Sequence, residues 1–90
     1  MPEVVLFKIE RTYGRDEIAD YLDAIAESLR AGDPIILRSG DDELVLEPPA
    51  RPTFEVKAER EGPEDGPGEL SIEFELEWDE NGGDADFQVG

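Results

Sequence analysis

Apolar residues along the chain fall into groups whose spacing changes from one group to the next. From residue 4 to residue 11, Val5, Phe7 and Ile9 share one face, while Val4 and Leu6 add apolar character to the other before Lys8 and Glu10 break it. That pattern predicts a strand whose early half is covered on both sides. Over residues 15–31 the period lengthens: Ile18, Leu22, Ile25 and Leu29 recur at intervals of four, three and four, with Tyr21 and Ala26 beside them. An amphipathic helix is the element this spacing predicts. Gly14, with Glu17 three residues on, resembles an N-terminal cap carried by glycine, and Asp16 and Glu17 suit the positive end of the helix. Gly32 supplies a left-handed stop and Pro34 bars continuation.

Two short apolar runs, residues 34–38 and 43–46, flank Ser39-Gly40-Asp41-Asp42 and predict a hairpin with a four-residue turn. The proline-rich stretch 47–52 excludes helix and sheet interior, so it reads as an extended connector. Strict alternation then returns. Phe54, Val56 and Ala58 alternate with Glu55, Lys57 and Glu59, and Leu70, Ile72, Phe74, Leu76 and Trp78 with Ser71, Glu73, Glu75 and Glu77. These are strands with one wet face, joined by a Gly- and Pro-rich loop over residues 61–68 that reads as mobile. The elements add up to an α+β fold in the order β-α-β-β-β-β. One helix is expected to cover one face of a mostly antiparallel five-stranded sheet, a two-layer domain spanning residues 2–79. Residues 80–90, acidic with Phe87 and Val89 as their apolar members, read as a disordered tail.

Charge changes the picture of the surface. Asp and Glu number 25 against 8 Lys and Arg, for a formal net charge of -17 with no histidine. Charges so crowded repel over a screening length of about 10 Å at 0.1 M salt, which shrinks to about 3 Å at 1 M. On the helix, Asp16 with Asp20 and Asp23 with Glu27 form like-charge i,i+4 pairs that cost a few tenths of a kcal/mol each, roughly, unless salt screens them. Only Lys8 and Lys57 are lysines. The surface therefore suits a salt-rich cytoplasm. Cysteine is absent, which excludes disulfide and thiol chemistry. The first residues lack a basic leader and their apolar run is short for a signal core or a membrane span, so a cytoplasmic protein is expected.

The strand-helix start, Glu3-Val4-Val5-Leu6-Phe7 followed by Arg15-Asp16-Glu17-Ile18-Ala19-Asp20-Tyr21-Leu22, and the strand Glu69-Leu70-Ser71-Ile72-Glu73-Phe74-Glu75-Leu76-Glu77-Trp78 together resemble the amphi-Trp domain proteins. The resemblance covers residues 2–80 and leaves the tail unmatched. It implies a small domain, usually standing alone and common in salt-loving archaea, and it brings no catalytic residue or cofactor. Gly14 departs from the serine such a resemblance leads one to expect, at a cost of only a few tenths of a kcal/mol, roughly.

Candidate chemistry is sparse. Ser28, Ser39 and Ser71 have neither histidine nor any marked base beside them, so an acyl-transfer site is not supported. Paired carboxylates carry no signal in a chain this acidic. Asp79, Asn81, Asp84 and Asp86 surround Gly82-Gly83 in an order that fails the EF-hand pattern, and Asp41, Asp42 and Glu43 read as an ordinary turn, so no specific metal is expected. No glycine stretch has phosphate-loop spacing, and the sign of the charge opposes direct nucleic-acid binding.

What remains is contact. Trp78 ends its strand on the apolar side, where it serves either as a lid on the core or as an aromatic anchor for a partner. Phe74 and Leu76 share that side. Glu73, Glu75 and Glu77 form a row of anions on the other, at about 6.6 Å intervals, which suits an acidic mimic of nucleic acid that binds basic proteins. Open sheet edges offer a further route, including strand pairing into a homodimer. The expected function is that of a non-enzymatic binding domain, with a protein partner or a second copy and no cofactor.

Overall fold

The computed structural model describes residues 2–80. Its elements run α1 (Arg15–Ala31), β1 (Ile35–Ser39), β2 (Asp42–Leu46), β3 (Thr53–Glu61) and β4 (Glu69–Glu77). The class is α+β, but the single five-stranded sheet is not formed. β1 pairs with β2 and β3 with β4, both antiparallel, as two separate two-stranded sheets. Residues 2–14 form neither helix nor strand, so the strand expected over residues 4–11 is a further correction. Alternation reports that a segment suits a pleated surface, whereas a strand exists only once an edge offers it ladder hydrogen bonds. The tail expected from residue 80 onward lies outside the described residues from residue 81.

The chain divides into two compact units, Met1–Pro48 and Pro49–Gly90. Their boundary falls inside the proline-rich connector that the sequence marks.

In the first unit, α1 begins where Gly14, extended at φ -65° and ψ 155°, donates its N–H to Glu17 Oε1 at 3.2 Å. Glycine has no side chain with which to return the bond, so half of a capping box is present. The other end is a Schellman motif. Gly32 sits at φ 72°, its N–H donating to the Leu29 carbonyl at 3.3 Å, and the Asp33 N–H donates to the Ser28 carbonyl at 2.9 Å. A side chain at position 32 would cost about 1–2 kcal/mol through its left-handed backbone. The helix packs against β1, and Tyr13 meets Tyr21 edge to face with ring centroids 5.5 Å apart. Ile35, 8% exposed, is the buried hydrophobic residue among those described.

The β1–β2 hairpin is tighter than the expected four-residue turn. Ser39 pairs with Asp42, which leaves Gly40 and Asp41 as the loop, with a positive φ of 59° at Gly40 alone. That is the type II′ pattern, whose twist matches the strands it joins. Arg38 Nε and Glu43 Oε2 pair across the strands at 2.8 Å.

In the second unit, β3 and β4 hold nine residue pairs in unbroken register from Thr53↔Glu77 to Glu61↔Glu69. The loop between them, read as mobile from its composition, is tied to the ribbon. Arg60 Nη2 donates to the carbonyls of Pro63 and Gly66, each at 2.8 Å. Gly62, at φ 142°, lies so close to Gly68 that an added Cβ would come within 2.6 Å of the Gly68 Cα, so the strands can enter this loop only without side chains there.

Candidate contact face

Side chains alternate across a strand, so the β3–β4 register sorts the ribbon into two faces. On one, Phe54 lies opposite Leu76, Val56 opposite Phe74, Ala58 opposite Ile72 and Arg60 opposite Leu70. On the other, Glu55 lies opposite Glu75, Lys57 opposite Glu73, Glu59 opposite Ser71 and Glu61 opposite Glu69. Lys57 Nζ, 2.9 Å from Glu59 Oε1 and 3.7 Å from Glu73 Oε2, ties the acidic face together. Its hydrogen-bonded Glu59 carboxylate, followed by the charges of Glu59, Glu73 and Glu55, holds the Lys57 ammonium above its ordinary pKa of 10.5.

Within its own unit the apolar face is open. Phe54, Val56, Leu70, Ile72 and Phe74 are between 53% and 79% exposed. Leu76 is half-buried, as is Trp78, which follows the last ladder residue of β4. Arg60, the one charged residue on this face among the ladder positions, turns its guanidinium to the loop carbonyls. The face thus presents hydrocarbon with no carboxylate in it. The acidic face next to it has two directly opposed like-charge pairs and a single cation, an arrangement that destabilises the ribbon unless ions screen it.

The residues singled out by sequence therefore divide. Phe74 and Leu76 come together with Phe54 and Val56, whereas Glu73, Glu75 and Glu77 point to the opposite side of the same ribbon. One flat partner meets one set or the other. Leu70, Ile72, Phe54 and Val56 were legible as apolar positions, but alternation alone implies a covered face, and their exposure had no signal in the sequence.

Among the described residues, no three carboxylates converge where a metal ion would sit. Asn81, Asp84 and Asp86 of the acidic tail lie outside the described residues. No described helix is long and apolar enough to cross a membrane.

One amphipathic helix and two hairpins, the longer of them divided into a hydrocarbon face and a glutamate face, place the chain in the α+β class, with an amphipathic acidic ribbon followed by tryptophan as its distinguishing element. The family model described as Amphi-Trp domain matches residues 1–90, and the chain belongs to that family. Comparison with curated proteins and with solved structures gave no match.

Proposed function

We propose that this chain is a non-enzymatic binding domain of a salt-rich cytoplasm, acting through apolar protein–protein contact at the β3–β4 ribbon and the adjoining Trp78. The observation that carries the reading is the ribbon's exposed hydrocarbon face, five of whose large side chains are more than half exposed. Apolar patches of this kind mark interaction sites, and aromatic residues such as Phe54, Phe74 and Trp78 dominate the energetics of such contacts. Molar salt favours this contact twice over, because it screens the carboxylates and strengthens apolar burial.

The second reading is an acidic decoy for basic nucleic-acid-binding proteins, favoured by the opposed pairs Glu55↔Glu75 and Glu61↔Glu69. Salt separates the two. Fluorescence anisotropy of the dye-labelled chain, measured in concentrated extract of the cells that make it and titrated with KCl, should stay high or rise through molar salt. It should drop in Phe74→Ser and be unchanged in Glu75→Gln. Anisotropy that falls steeply with salt and ignores Phe74→Ser overturns the apolar reading in favour of the decoy.

A further inference from the structure

We propose that Arg60 is a register lock: its hold on the Pro63 and Gly66 carbonyls keeps β4 from sliding two residues along β3 into a second register that brings Trp78 opposite Phe54. Alternation in β3 and β4 decides which faces match, but not how far along the strands they match. A one-residue slip sets the apolar side chains of β3 against the polar side chains of β4 and is excluded. A two-residue slip leaves both faces intact.

The two registers are close to equal in cross-strand pairs. The observed one sets Phe54, Val56 and Ala58 opposite Leu76, Phe74 and Ile72; the slipped one sets them opposite Trp78, Leu76 and Phe74. Its ladder would run from Thr53 opposite Asp79 to Glu61 opposite Ser71, as long as the observed ladder from Thr53↔Glu77 to Glu61↔Glu69. Charge does not choose either. The observed like pairs Glu55↔Glu75 and Glu61↔Glu69 give way to Glu55 opposite Glu77 and Glu59 opposite Glu73, while Lys57 exchanges Glu73 for Glu75. Sliding the other way is barred, because it sets Pro52 opposite Leu76 and Pro67 opposite Glu61, and proline donates no ladder hydrogen bond.

The loop breaks this near-equality. Hairpin register follows from the turn, and the loop between Glu61 and Glu69 is long for a hairpin, so its length alone selects weakly: closure entropy grows only with the logarithm of loop length. Arg60 Nη2 supplies the selection. Its two N–H groups go one to each carbonyl, Pro63 and Gly66, at 2.8 Å. Below them Gly62 meets Gly68 in a neck where a Cβ at position 68 would come within 2.5 Å of the Glu61 carbonyl oxygen. A two-residue shift of β4 carries the chain leading into it by about 6.6 Å. One Arg60 nitrogen then no longer reaches both carbonyls, and Leu70 replaces glycine across from Gly62. Arg60 thereby decides whether Trp78 lies beyond the ladder or joins it.

The test reads register directly, in the full chain in molar KCl. With no native cysteine, paired substitutions report which residues stand opposite each other. Directly opposed strand positions lie close enough for a disulfide, whereas diagonal ones lie about 7–8 Å apart and do not bridge. In a glutathione redox buffer, Glu55→Cys with Glu75→Cys should bridge and Glu55→Cys with Glu77→Cys should not; each pair removes two glutamates, so charge is matched. Adding Arg60→Ser should raise the yield of the second bridge at least about fivefold, the effect of losing on the order of one kcal/mol of preference. Gly68→Ala, which blocks the neck and leaves the Arg60 side chain in place, should do the same. In the cysteine-free Arg60→Ser chain, backbone NOEs from Phe54 should reach Trp78 as well as Leu76. A second bridge that forms as readily in the native background means that nothing locks the register. The first bridge alone in both Arg60→Ser and Gly68→Ala, with no NOE from Phe54 to Trp78, overturns the lock. Neither bridge in either variant also overturns it, because the ribbon then opens and does not slide.

Discussion

Lys57 is the residue that most clearly acts against the charge of this chain. It sits between Glu59 and Glu73, and both carboxylates favour its charged form. The sign of its effect on stability follows from linkage. The folded state binds the Lys57 proton more tightly than the unfolded state, so the stabilisation is fully present below the ordinary value of 10.5 and is lost as pH rises through the higher folded value. Thermal unfolding in molar KCl should therefore show a decline in the alkaline range that Lys57→Met flattens. An unaltered alkaline decline in that variant would show that the ammonium is not what holds the acidic face. These ion pairs are exposed, as are Arg38–Glu43 and Arg30–Glu27, so water and salt screen all of them.

At the scale of the element, the β3–β4 ribbon carries opposite demands on its two faces. Cross-strand like charges are destabilising, and Glu55↔Glu75 is such a pair near the Trp78 end of the ladder. Glu75→Lys converts it to an attractive pair and should stabilise the ribbon by about 0.2–1 kcal/mol at low salt. The gain should shrink in molar KCl, where screening has already relieved the repulsion. Denaturant titrations at the two salt concentrations measure the difference, and an equal gain in both would mean that direct packing, not repulsion, governs this position. The helix makes the same point more weakly. Its half capping box at Gly14 and its Schellman end at Gly32 fix where it starts and stops, while Asp16, Asp20, Asp23 and Glu27 add repulsion along its acidic face.

For the whole molecule, a net charge of -17 over 90 residues combines with a small buried core, because Ile35 is the buried hydrophobic among the described residues. Little apolar burial is available to offset so much repulsion. Circular dichroism should show the α1 signal growing as KCl is raised from dilute buffer to about 1 M. Full helix content in salt-free buffer would contradict the salt dependence.

Much of the local structure was written in the residues. The three-four spacing of Ile18, Leu22, Ile25 and Leu29 with Gly32 and Pro34 sufficed for α1. Alternation sufficed for β3 and β4, and the prolines at 48, 49 and 52 marked the connector at which the two units divide. These features depend on neighbours a few positions away, where periodicity and backbone preference dominate. What only the tertiary structure decided was pairing and exposure: that residues 4–11 join no ladder, that the hairpins form separate sheets, that Arg60 reaches the carbonyls of Pro63 and Gly66, and that the hydrocarbon face of the ribbon is open. A strand's edge and a side chain's cover are supplied by residues distant along the chain or on another molecule, and no short-range pattern encodes which of them arrives.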